Sequence, residues 1–236
     1  MIKRQIPNLI TLCNLGCGVL SVFAAIAYQE PVQAALLICL GILFDFFDGM
    51  TARLLKVSSP MGKELDSLAD VVTSGVAPAA ILFSLCYWSL EYLGLRWLLI
   101  LFLLIPLFAA YRLAKFNIDT RQSHSFLGLP VPSQALVWVG VALTRTIDYS
   151  ATGTPWLTVA FVALSLVLDV LMVSELPLFS LKFNFKDLSW KTNSVQYIFL
   201  IVCAVIIAVL RDWIAISAII LWYIVLSLFT QRRHAE

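Results

Sequence analysis

Apolar runs long enough to cross a lipid bilayer follow one another along almost the whole of this 236-residue chain. A spanning helix needs about 20 predominantly apolar residues, because each residue advances the chain by only ~1.5 Å through a hydrocarbon layer roughly 30 Å thick. Eight segments approach that length, at 9–28, 32–55, 65–88, 97–113, 132–147, 156–173, 195–210 and 213–230, the fifth being the shortest. Hydrophobic residues make up 61% of the chain and charged residues 13%, against roughly 45–50% and ~25% in soluble domains. Such a chain has too little polar surface to cover itself in water, so its excess apolar surface faces lipid. The expected fold class is all-α, a polytopic transmembrane bundle of about eight helices. No long polar linker and no internal repeat divides the chain, so residues 1–236 read as one domain.

The charged residues test this topology independently. Cytoplasmic loops of membrane proteins collect Lys and Arg. With eight helices and a cytoplasmic N-terminus, Lys3, Arg4, Arg53, Lys56, Lys63, Arg112, Lys115, Arg121, Lys182, Lys186, Lys191, Arg232 and Arg233 fall inside. Only Arg96, Arg145 and Arg211 fall outside, which completes the 16 basic residues. Inverting the chain or deleting one helix spoils the split, so both termini are expected in the cytoplasm. The net charge of +2 is too small to indicate a nucleic-acid partner. Cys13, Cys17, Cys39, Cys86 and Cys203 lie in apolar runs without metal-ligand or disulfide spacing and read as small buried hydrophobes. The basic start and the apolar stretch after it, interrupted by Asn8, Thr11 and Asn14 and lacking a cleavage site, read as a retained helix and not a signal peptide.

Against this apolar background, 45–70 reads DFFDGMTARLLKVSSPMGKELDSLAD. Asp45 and Asp48 are three residues apart and Asp66 and Asp70 four apart, so each pair shares a helix face. A turn around 57–63, with Ser58, Ser59, Pro60 and Gly62, folds the second helix back on the third and lets the acidic faces meet. A carboxylate at the bilayer centre costs ~2.5–3.5 kcal/mol and less near the interface; clustering four adds repulsion that Arg53, Lys56 and Lys63 are too few to cancel. Carboxylate oxygens in such a cluster suit hard divalent cations: Mg²⁺, Mn²⁺ or Ca²⁺. Gly49 and Ala52 are small enough for a ligand, or a partner helix, to approach the backbone. Arg53 serves either a ligand or the membrane edge, where its stem can snorkel.

The pattern is D, two residues, DG, two residues, AR, eight residues, G, three residues, D, three residues, D. Asp45, Asp48, Gly49, Ala52, Arg53, Gly62, Asp66 and Asp70 fill it without a substitution. The chain thereby resembles the CDP-alcohol phosphotransferases. The resemblance implies that the motif lies on two neighbouring transmembrane helices at the cytoplasmic side. It implies that Asp45, Asp48, Asp66 and Asp70 bind one or two divalent metals, and that Asp70 acts as general base. Gly49 and Ala52, flanked by Arg53 and Gly62, would lie against the CDP moiety. The implied reaction is displacement of CMP from a CDP-linked lipid by an alcohol. Asn8 and Thr11, at the start of the first helix on the same face, either contact the nucleotide or cap the helix.

Flanking segments narrow the acceptor. IPNLITLCNLGCG at the start, LDSLADVVTSGVAPA after the motif, YRLAKFNID at 111–119 and FLGLPVP at 126–132 resemble the bacterial and archaeal members of the family that join L-serine to CDP-diacylglycerol. That resemblance implies a prokaryotic cell membrane as the location. An amino-acid carboxylate needs a cation: Arg112, Lys115 and Arg121 lie on the expected cytoplasmic face, and Asn117 adds a donor and an acceptor. The same residues also read as a positive-inside anchor and an ordinary loop. Sister enzymes acting on glycerol 3-phosphate or inositol phosphate are the alternative within the family. A divalent-cation transporter is the alternative outside it, since intramembrane carboxylates also mark ion paths. Asp169 in the sixth apolar run and His124 in a polar loop carry no assigned role. Expected partners are CDP-diacylglycerol, L-serine and membrane lipid, with a homodimer also allowed.

Overall fold

The computed structural model describes residues 2–57, 59–118, 128–144, 155–176 and 190–232. Eight helical rods occupy the described residues. They are α1 (Ile2–Ile26), α2 (Pro31–Leu54), α3 (Pro60–Tyr92), α4 (Arg96–Ile118), α5 (Val131–Leu143), α6 (Pro155–Val173), α7 (Trp190–Leu210) and α8 (Ile214–Arg232). Six are long and apolar enough to cross a membrane; α5 and the apolar part of α8 are shorter. The 13 residues of α5 rise only ~20 Å. Strands are absent among the described residues.

Several boundaries depart from the apolar runs, and local chemistry explains two of them. The first helix begins at Ile2 and carries Pro7 inside it, so Thr11 lies two turns beyond the helix start and is no cap. The third helix begins at Pro60, five residues before its apolar run. Ser59 is extended (φ −142°, ψ 145°), its hydroxyl accepts the backbone N–H of Gly62 at 2.9 Å, and Pro60 follows with its preset φ. Hydropathy is blind to a cap of this kind. The link from α2 therefore ends before Pro60, with Lys56 in the left-handed region (φ 51°), and Gly62 belongs to the first turn of α3 and not to the connection.

α3 runs unbroken to Tyr92, but its 71–76 stretch is a π turn that begins immediately after Asp70. α4 begins as a 3₁₀ helix and becomes α-helical from Leu104.

α1 packs along α2 and along the length of α3; α5 lies on α2 and α8, α6 lies on α4, and α7 is outermost against α8. Ile38, Ile81, Leu82, Phe102, Ile105, Trp138 and Leu168 fill the interior, with Trp138 edge-on to Phe161 at 6.1 Å. Large apolar side chains such as Leu9, Leu20, Phe23, Val209 and Phe229 point outward, as a lipid-facing surface requires. The cysteines follow the same logic. Cys17 and Cys86 are buried, whereas Cys13 is exposed; lipid tails are as apolar as a core, so an apolar residue in a membrane helix need not be interior.

Candidate active site

The acidic motif is built by the end of α2 and the beginning of α3. Asp45 and Asp48 project from the last turns of α2, and Asp66 from the second turn of α3. One carboxylate oxygen from each lies within 4.8 Å of the others. Grouped carboxylate oxygens of this kind are the ligands that a hard divalent cation takes. Asp48 is buried, and Asp66 carries a buried Oδ1 without any hydrogen-bond partner. An orphaned carboxylate oxygen inside a hard-oxygen cluster is a donor set that fits a divalent cation.

The first helix supports this cluster. Thr11 Oγ1 stands 2.6 Å from Asp48 Oδ2 and 3.0 Å from the Pro7 carbonyl oxygen; its single proton serves one acceptor at a time. Asp70 stands apart from the three grouped carboxylates, one turn further along α3. It accepts from Asn14 Nδ2 at 3.2 Å. It is also within electrostatic reach of Arg112 on α4, although no ion pair within 4.0 Å joins the two. Arg112 is 8% exposed, its Nε has no partner, and its guanidinium lies 6.0 Å from the centre of the Phe116 ring.

Two hollows meet at the carboxylates. A cavity of about 230 Å³ is lined by polar groups of Asn8, Thr11, Ser59 and Lys63 beside Gly49, Ala52 and Gly62. A broader groove of about 530 Å³ runs past Phe46, Met50 and Leu54 with Arg53 at its edge. Asp48, Gly49 and Asp66 border both. Gly49 is no helix-packing glycine, because a methyl group there would meet no atom within 4 Å. Gly62 is tighter, with Asn8 Oδ1 and Ser59 Oγ each 3.1 Å from where its Cβ would stand.

The sequence profile of the CDP-alcohol phosphatidyltransferases matches residues 4–171, which include this entire arrangement. The chain belongs to that family. It is 37% identical over 151 residues to the CDP-diacylglycerol–serine O-phosphatidyltransferase of Bacillus subtilis, covering 64% of this chain and 82% of that one. It is 37% identical over 189 residues to the enzyme of the same name from Helicobacter pylori strain 26695, covering 78% and 74%. To the archaetidylserine synthase of Methanothermobacter thermautotrophicus it is 33% identical over 175 residues, covering 72% and 68%. The protein is therefore a phospholipid-synthesising transferase of a divalent-metal-dependent family.

The basic residues near the end of α4 are not gathered at one point. Lys115 forms an ion pair with Glu175 at 3.0 Å, just beyond α6. Asn117 donates to Ser67 Oγ at 2.9 Å, and its carbonyl accepts from Lys63 Nζ at 3.0 Å, tying the end of α4 to α3. Three-residue spacing thus brings Arg112 and Lys115 to the same end of the helix but to different partners. Arg121 and His124 lie outside the described residues. Asp169 belongs to a separate buried pair, accepting from Gln134 Nε2 on α5 at 2.9 Å. Sequence reading missed Asn14, Ser59 and Lys63 as members of the site. Asn14 did leave a signal: with Asn8 and Thr11 it forms a polar series at three-residue spacing in the otherwise apolar 6–20 stretch of its helix.

Proposed function

We propose that this enzyme transfers a phosphatidyl group from CDP-diacylglycerol to L-serine, forming phosphatidylserine and releasing CMP. The chain acts as one domain, on the cytoplasmic face of a prokaryotic cell membrane, with both termini in the cytoplasm. The observation that carries the reading is the position of the carboxylates between two adjoining hollows. Asn8, Thr11, Ser59 and Lys63 with the small Gly49, Ala52 and Gly62 suit a nucleotide in the first, Phe46, Met50 and Leu54 suit a diacylglycerol at the second, and the linkage between them must cross the carboxylates. The relatives named for serine transfer support the acceptor assignment.

Asp45, Asp48 and Asp66 would hold Mg²⁺ or Mn²⁺, with Asp70 completing the set at its rim; a bound divalent ion supplies charge neutralisation on the pyrophosphate and on departing CMP. Gly49 and Ala52 leave room for the nucleotide, while Asn8, Thr11 and Gly62 shape its cavity and Arg53 guards the lipid side. Asp70 takes the proton from the serine hydroxyl, whose oxygen forms the new bond to the lipid phosphorus. The pyrophosphate bond breaks, and CMP leaves with the bridging oxygen. A positioned base typically contributes 10²–10⁴-fold to such a step. Arg112 holds the serine carboxylate, because an acceptor carrying its own negative charge must otherwise approach four others; a guanidinium fork binds it bidentately. Lys115 and Asn117 shape the rim of that site.

An acceptor panel tests the assignment. Purified protein with CDP-diacylglycerol and Mg²⁺ or Mn²⁺ should release CMP with L-serine, and excess chelator should stop it. CMP release with glycerol 3-phosphate or inositol phosphate but none with serine overturns the acceptor. Full turnover in excess chelator overturns the metal.

A further inference from the structure

Asn14 is completely buried in the middle of an apolar transmembrane helix. Its Nδ2 faces Asp70 Oδ1 at 3.2 Å, and only the amide nitrogen can donate to a carboxylate, so chemistry fixes which way the side chain points. The other end of the amide, Oδ1, is buried without a partner. A buried acceptor left unpaired costs roughly 1–3 kcal/mol. A leucine at this position would fill the same space without that cost.

The surroundings hold Asn14 from both sides. Thr73 Oγ1 donates to the Asn14 backbone carbonyl at 3.0 Å. Thr73 belongs to the π turn that begins directly after Asp70, and such turns concentrate at functional sites. Two glycines permit this approach. A Cβ on Gly41 of α2 would stand 2.9 Å from Asn14 Oδ1 and 2.5 Å from Thr73 Cγ2, and a Cβ on Gly18 would stand 2.5 Å from Thr73 Oγ1. Three helices are thus drawn together around one amide whose only side-chain hydrogen bond goes to Asp70.

We infer that Asn14 is a positioning residue: through Nδ2 it fixes the Asp70 carboxylate in the orientation from which that group takes the acceptor's proton, and Thr73 and Gly41 fix Asn14. This rests on Asp70 being the base.

The test is a double-mutant cycle on CMP release by the full-length protein at saturating metal. Loss of a partner that orients a site group typically costs on the order of 10- to 100-fold. Asn14→Leu should lower kcat by that factor, with the KM values for CDP-diacylglycerol and serine changed by less than about twofold. In the Asp70→Asn background, Asn14→Leu should cost nothing further, because the group it orients is already gone. Thr73→Val should show a smaller loss in kcat with the same non-additivity. If Asn14→Leu does not fold, Asn14→Ser, which removes the amide but keeps a small polar side chain, carries the same cycle. Equal losses in both backgrounds overturn the inference while leaving Asp70 as base. So does a raised KM at unchanged kcat. Near wild-type turnover of Asp70→Asn alone overturns the base assignment, and this inference with it.

Discussion

Thr11→Val removes one oxygen and keeps the shape of the side chain, which isolates the contact between α1 and the acidic cluster. The Thr11 hydroxyl is 2.6 Å from Asp48 Oδ2, and both residues are buried. A hydrogen bond to a charged group contributes about 1.5–3 kcal/mol. At ~1.4 kcal/mol per factor of ten, its loss corresponds to roughly a 10- to 150-fold change in any equilibrium that depends on Asp48 being correctly held. The Pro7 carbonyl competes for the same proton, which places the expectation toward the lower end. With Asp48 proposed as one of three grouped oxygen donors to the ion, that equilibrium is metal binding. Titrating CMP release with Mg²⁺ should therefore give an activation constant raised on the order of tenfold, with most of kcat recovered at saturating metal. A thermal melt in the same detergent shows whether the fold is intact. An unchanged activation constant with lowered kcat would refute the reasoning, because Thr11 would then act on the chemistry and not on a ligand.

Further outcomes follow from the same geometry and from the distribution of basic residues. Gly49→Ala should fold and melt at or slightly above the parent temperature, since a methyl there meets open space. Gly49→Leu should raise the KM for CDP-diacylglycerol by filling the nucleotide cavity, and an unchanged KM would move the nucleotide elsewhere. Arg112→Ala should raise the KM for serine far more than that for CDP-diacylglycerol; equal rises would make the buried guanidinium structural. Reporter fusions at the C-terminus and after Tyr92 should give opposite sidedness, and the same side for both would break the topology.

Asp169→Asn and Asp169→Leu separate pairing from charge in the second buried polar pair. An amide at this position can still accept from Gln134 Nε2 and should preserve the melting temperature. Leucine leaves the glutamine unpaired and should destabilise by about 1–3 kcal/mol, measured by denaturation in detergent. Equal stability of the two variants would show that the bond adds nothing.

Membrane residence and helix number were legible in the sequence because they depend on local composition: a run of about 20 apolar residues needs no distant partner to be recognised. The four aspartates were legible for a related reason. Their i,i+3 and i,i+4 spacing sets a shared face before any tertiary contact forms, and carboxylates amid Phe44, Phe46, Phe47 and Val71 stand out on energetic grounds. Helix ends were less legible. Pro60 opens α3 because Ser59 caps Gly62, and hydropathy does not register a capping hydroxyl.

Only the tertiary structure distinguished among residues of like chemistry. Asp45, Asp48 and Asp66 converge while Asp70, one turn on, accepts from Asn14, and the close approach of α1, α2 and α3 beside them depends on the bare Cα atoms of Gly18 and Gly41, which leave room for Thr73. Arg112 stays near Asp70 while Lys115, three residues on, is captured by Glu175 sixty residues away. Spacing along one helix settles which side chains share an end of it; which of them acquires a partner is decided by what the neighbouring helices bring to that end.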